Sequence, residues 1–136
     1  MNSLKILLVD DNPGDVLLAR KMLSKSTVPC SLELAGDGGA ALERLASGPA
    51  PDLIILDLNM PRMDGLEFLR RMKSDPRLLS IPVLVMSSSR AADDVLGCYE
   101  RHANSYVSKP ADASGYSAVM RAIEEFWFRT ARLPSA

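Results

Sequence analysis

Three runs in this 136-residue chain, Ile6-Leu7-Leu8-Val9, Leu53-Ile54-Ile55-Leu56 and Val83-Leu84-Val85-Met86, contain no polar residue. Unbroken apolar runs of this length suit strands buried on both faces, as in a parallel sheet with helices on either side. Weaker runs at 32–35, where Glu33 interrupts, and at 106–107 read as two further strands. Helical spacing fills the gaps between the runs. Residues 16–23 place Val16, Leu17, Ala19, Met22 and Leu23 for a first helix, with Asp15 in its first turn. Residues 39–46 put Ala41, Leu42 and Leu45 on one side and stop at Gly48-Pro49; residues 66–73 turn Leu66, Leu69 and Met72 inward. A fourth helix is expected over 91–101, with Val95, Leu96 and Tyr99 as its apolar side. A fifth is expected over 113–131, with Tyr116, Val119, Met120, Ile123 and Trp127 in step. The expected fold is α/β: a doubly wound parallel sheet of five strands, order 2-1-3-4-5, with five helices on both faces.

At this length a single domain over 1–136 is expected, and after Lys109-Pro110 one helix consumes the sequence, leaving no room for an output domain. Sixteen basic residues balance seventeen acidic ones, which argues against nucleic acid as the main partner. No run approaches the length of a membrane span, and the apolar start is too short for a signal peptide. Cys30 and Cys98 stand far apart with no metal-ligand spacing. A reduced, cytoplasmic protein is the expectation.

Two of the apolar runs end in acids: the first in Asp10-Asp11, the third in Asp57. Alone, an acid after a strand reads as a turn residue or a helix cap. In a 2-1-3-4-5 sheet, however, ligands bind beyond the carboxyl ends of the strands where the winding reverses, between the first and third. That topology brings the three acids together. Clustered carboxylates repel unless a cation neutralises them, and magnesium, a hard ion that keeps several waters, can bridge such a cluster to a phosphate. Ser87 after the fourth run and Lys109 after the fifth would supply a hydroxyl and a positive charge for a phosphoryl group. Asp57 would then be the nucleophile.

Val9-Asp10-Asp11, the stretch from Leu56 through Asp57, Asn59, Met60-Pro61 and Asp64-Gly65, Val85-Met86-Ser87, and Lys109-Pro110 together resemble the receiver domains of response regulators in two-component signalling. The resemblance covers essentially the whole chain and implies the flavodoxin-like receiver fold. It implies that Asp57 accepts the phosphoryl group and that Asp11 ligates magnesium directly. Asp10 would act mainly through water, and Asn59 would offer its backbone carbonyl. It also implies that Ser87 and Lys109 contact the phosphoryl group, that Tyr106 turns inward with Ser87 as a switch, and that the Lys109-Pro110 bond is cis. The opening Asp10 to Asp15, Asp75-Pro76 before Ile81-Pro82, and the ending Ile123 to Trp127 resemble the stand-alone regulators that partner phytochrome-type histidine kinases.

The resemblance thus points to a phosphoacceptor signalling protein, not an enzyme acting on an outside substrate, that receives its phosphoryl group from a histidine kinase and passes its signal to a downstream protein or phosphotransfer partner. Two rivals remain. A magnesium-dependent phosphohydrolase would commonly need an acid two residues after its nucleophile, where this chain has Asn59. A receiver-fold scaffold would not turn over phosphate at all. Within Ser87-Ser88-Ser89, Ser88 or Ser89 is the expected cap of the fourth helix. His102 stands where the family usually closes that helix with a glycine of positive φ. Phe126, Trp127 and Phe128 cannot all face one core from a helix, so they are read either as an interface, with a homodimer through the fifth helix, or as a tail folded back on the domain.

Overall fold

The structure is a computed structural model and describes residues 3–134. Strands and helices alternate: β1 (Leu4–Val9), α1 (Pro13–Ser24), β2 (Cys30–Ala35), α2 (Gly38–Ser47), β3 (Leu53–Leu56), α3 (Gly65–Lys73), β4 (Val83–Ser87), α4 (Ala92–Glu100), β5 (Ser105–Ser108) and α5 (Ala113–Ile123). All pairings are parallel, and the order is β2-β1-β3-β4-β5, as the sequence predicts.

Alternation along each strand divides the core between the two faces. Leu7, Val9, Ile54, Leu56, Val83 and Val85 meet Ala41, Leu45, Phe68, Leu69 and Met72 on the α2/α3 side. Ile6, Leu8, Leu53, Ile55, Leu84 and Met86 meet Ala19, Leu23, Tyr116, Met120 and Ile123 of α1 and α5 on the other. Burying each of these large apolar side chains contributes about 1.5–3 kcal/mol, which is why the central strands tolerate no polar residue.

Several elements begin earlier than their apolar cores suggest, while β3, β4 and α5 begin where expected and α4 one residue later. β1 and β2 each gain two residues at the start. α1 starts at Pro13, capped by the Asn12 side chain, which accepts from the Gly14 and Asp15 N–H groups. Proline at the first helical position loses only an N–H that would lack a partner there.

Within the helices the structure corrects the sequence reading in three places. Of the expected apolar side of α4, Leu96 and Tyr99 are exposed and only Val95 is partly buried; it is Gly97 and Cys98 that face the core. Small residues let this short helix lie close, with Gly97 near Leu66 of α3. Neither Ser88 nor Ser89 is the N-cap of α4; Ala91 holds that position without a side-chain bond. Ser89 instead uses its hydroxyl to bond Asp94 and to accept from the Ala91 N–H. The fifth helix does not run to Ala131 as an α-helix, because Glu124–Thr130 widens into a π-helical turn. The Ala131 N–H closes it by donating to Phe126 O, five residues back.

More residues per turn mean a smaller angular step between neighbours. Trp127 and Phe128 therefore both pack against the α1/α5 side of the core, while Phe126 is 52% exposed and meets Trp127 edge to face at 5.3 Å.

His102 lies in the left-handed region, with φ 68°. Its N–H donates to Tyr99 O, and the Ala103 N–H donates to Cys98 O. This paired closure of a helix end needs positive φ at that residue.

Candidate functional site

The site grows out of strand pairing. Val9 lies in register with Ala35 and Leu56, so Asp10 and Asp57 emerge side by side at the carboxyl edge. The Asp10 N–H donates to Ala35 O, the Asp57 N–H to Val9 O, and the Lys109 N–H to Ser87 O at 2.7 Å. Each of these residues is thus held to a neighbouring strand by its own main chain, which places the side chain on a rigid support. The chain leaving Asp57 turns back tightly into α3. At Gly65 a Cβ would stand 2.6 Å from Asp57 O and 2.7 Å from Leu58 Cα, so only glycine fits.

Carboxylate oxygens of Asp10, Asp11 and Asp57 lie within 4.8 Å of one another. Asp10 and Asp57 are buried and Asp11 is exposed. Both oxygens of Asp10 are engaged: Oδ1 accepts from the Asn12 N–H, and Oδ2 accepts from Lys109 Nζ at 3.1 Å. Burial pushes the Asp57 carboxyl up to about 6, with Lys109 pulling it back and Asp10 pushing it further up. An all-oxygen donor set of converging acids, one of them reluctant to ionise alone, fits a hard divalent cation.

Lys109 Nζ sits inside this cluster with its side chain only 9% exposed. It lies 3.6 Å from Asp57 and 3.1 Å from Asp10, but its shortest contact is with Asp15, at 2.7 Å. Burial works against its charge, yet Asp15, Asp10 and Asp57 outweigh burial and hold the ammonium well above the usual lysine range. By sequence Asp15 serves only the start of α1, and nothing there marks it as a partner of Lys109.

Ser87 is fully buried at the end of β4, and its hydroxyl accepts from the Ser89 N–H. Tyr106 of β5 is half-buried and turned inward, its hydroxyl donating to Ser89 O at 2.7 Å, while its N–H donates to the Tyr99 hydroxyl. The loop after β4 is thereby tied to both Ser87 and Tyr106. Asn59 is exposed on the loop beyond Asp57. The Lys109-Pro110 bond is trans, contrary to the expectation of a cis peptide. Trans is the lower-energy isomer, and ion pairs with the acids together with the main-chain bond to Ser87 already hold the lysine in place. Phe126, Trp127 and Phe128 lie outside this cluster, and no helix among the described residues is long and apolar enough to cross a membrane.

Residues 6–121 match the response regulator receiver domain. The chain is similar to the response regulator Rcp1 of Synechocystis sp., 39% identical over 96% of this chain and 93% of that protein. Similarity extends to FilR2 of Methanothrix harundinacea, a probable methanogenesis regulatory protein, 35% identical over 95% of this chain and 86% of that one. Among solved structures, the phosphorylated cyanobacterial phytochrome response regulator RcpA superimposes with a TM-score of 0.94 at 44% identity, covering 98% of this chain and all of that one. The manganese-bound form of Rcp1 superimposes at 0.92, with 39% identity over 96% and 99% of the two chains. The acids, the buried serine and the lysine thus stand in a known kind of molecule: this chain is a member of the response-regulator receiver family, the signalling proteins of two-component systems.

Proposed function

We propose that Asp57 is the phosphoacceptor of a stand-alone response regulator. The observation that carries this reading is the buried Asp57 carboxylate beside Asp10, Asp11 and Lys109, on three strands that end at one edge. An Asp57 oxygen attacks the phosphorus of a kinase phosphohistidine. A P–O bond forms at Asp57, the P–N bond breaks, and the histidine leaves. Asp10, Asp11, Asp57 and the Asn59 carbonyl would hold magnesium, which would neutralise charge between acceptor and donor. Lys109 meets the phosphoryl oxygens, and Ser87 bonds one of them.

The phosphoryl group brings nearly two negative charges to a loop already connected to Ser87, Ser89 and Tyr106. That supports a population shift in the face formed by α4, β5 and α5, read by a downstream protein or phosphotransfer partner. Likeness to RcpA, a cyanobacterial phytochrome response regulator, supports a phytochrome-type histidine kinase as donor. The half-exposed Phe126 supports a homodimer through the end of the fifth helix, with Trp127 and Phe128 behind it.

Incubated with acetyl phosphate and magnesium, the protein is expected to gain the mass of one phosphoryl group, with the label mapping to Asp57. No gain, with a cognate kinase as well, would overturn the reading in favour of a scaffold; sustained release of phosphate from many esters would favour a hydrolase. For the dimer, sedimentation at high concentration should show association that Phe126→Ala weakens about tenfold, in line with loss of a central aromatic contact. A monomer at every concentration, before and after phosphorylation, would remove it.

A further inference from the structure

The shortest ion pair of the site involves neither the proposed phosphoacceptor nor a proposed metal ligand. Lys109 Nζ donates to Asp15 Oδ2 at 2.7 Å, closer than its 3.1 Å to Asp10 and 3.6 Å to Asp57. Asp15 is well fixed for this. Its N–H donates to the Asn12 side chain and its carbonyl accepts from the Tyr116 hydroxyl of α5, so the start of α1 is fastened from both sides. Lys109 is fastened at its main chain to Ser87, which leaves the side-chain torsions to carry any movement of the ammonium. A charge-assisted bond in a partly buried site is among the stronger contacts a lysine makes.

We propose that Asp15 is a positioning residue that competes with the incoming phosphoryl group for Lys109, and so sets how readily Asp57 is phosphorylated. This rests on the reading of Asp57 as phosphoacceptor. Before transfer, the ammonium is divided among the acids, with Asp15 holding it most closely. When acetyl phosphate reacts, its bond from phosphorus to the acetyl oxygen breaks, acetate leaves, and a P–O bond forms at Asp57. Negative charge on the phosphoryl oxygens then draws the ammonium toward Asp57, and it must loosen its bond to Asp15 to follow. Asp15 thereby raises the barrier to phosphorylation and favours return of the group, a restraint suited to a regulator that must stay off until its kinase acts.

The test is a double-mutant cycle on the rate of phosphorylation by acetyl phosphate at saturating magnesium, in wild type, Asp15→Asn, Lys109→Met and the double variant. Asp15→Asn is expected to react roughly fivefold faster than wild type, and to give no acceleration when Lys109 is already methionine. Equal acceleration in both backgrounds would mean that Asp15 acts only as a nearby negative charge, and would overturn the proposal. So would an Asp15→Asn protein that reacts no faster than wild type. A wild type that takes no phosphoryl group at all would instead sink the reading of Asp57, so the two failures are distinct. Should the methionine variants not fold, nitrogen-15 spectra of the lysine ammonium groups decide it. A slowly exchanging Lys109 signal should be present in wild type and lost in Asp15→Asn, and an unchanged signal would overturn the competition.

Discussion

Asp57→Asn is expected to take no phosphoryl group from acetyl phosphate and, without divalent cations, to be more stable than wild type at neutral pH by about 3 kcal/mol. The first effect follows from loss of the nucleophilic oxygen, which an amide does not replace. The second follows from the environment of the carboxylate. Burial, opposed by Lys109 and reinforced by Asp10, moves Asp57 from 3.8 to about 6 in the folded protein. The folded state therefore holds this proton more tightly than the unfolded state does. As pH rises from about 4 to about 6, the unfolded chain has already released the proton that the native one must still give up, and stability falls. Above that window both states are ionised, and the full penalty of about 3 kcal/mol stands. Asparagine avoids this penalty, which is already net of the attraction to Lys109. Urea melts in EDTA should show the variant ahead at pH 7.5 and level with wild type at pH 4. Adding magnesium should narrow or reverse the gap, since a ligand bound to the native state stabilises the protein that binds it better. A variant no more stable than wild type at pH 7.5 in EDTA would show that Asp57 carries no such penalty.

That expectation depends on geometry that was largely readable in the chain. Ile6 to Val9 and Leu53 to Leu56 are apolar on both faces because both faces are covered, so the strands, their parallel pairing and the convergence of Asp10, Asp11 and Asp57 followed from pattern and topology. Elements at the edges were harder to read. β2 carries Glu33 and an exposed Leu34, and only its last four residues read as a strand. In α4 hydrophobicity marks Leu96 and Tyr99 as inward, whereas the close packing of this helix is decided by the size of Gly97 and Cys98. The π-helical turn at Glu124–Thr130 leaves the spacing of aromatics unchanged and alters only their direction, which periodicity does not register. Asp15 eluded the sequence reading for a related reason. Its contact with Lys109 spans 94 residues, and nothing local distinguishes a helix-start acid that faces solvent from one that faces a buried ammonium.

Lys109→Met should cost about 3–5 kcal/mol in EDTA at pH 7.5, the range expected when one partner of a buried ionic group is removed. Methionine keeps most of the apolar stem, so the change isolates the charge. Without the ammonium, Asp10, Asp15 and Asp57 face one another with no counter-charge among them, and Asp10 is more deeply buried than the lysine itself. Because a domain of this size has only about 5–15 kcal/mol in hand, the variant would stand close to unfolding under these conditions. Two changes of solvent should return much of the loss, each through a different route. Magnesium supplies the missing positive charge to the same carboxylates. Acid lets Asp57, whose carboxyl sits at about 6 even beside the lysine, take up a proton and leave the cluster less charged. Chemical denaturation of wild type and variant, in EDTA at pH 7.5, in millimolar magnesium at pH 7.5 and in EDTA at pH 5, should therefore give the largest difference in the first condition and smaller ones in the other two. A difference of the same size in all three would assign the effect to packing of the stem and not to the charge, and the account of Lys109 as the protein's own neutralising ion would have to be given up.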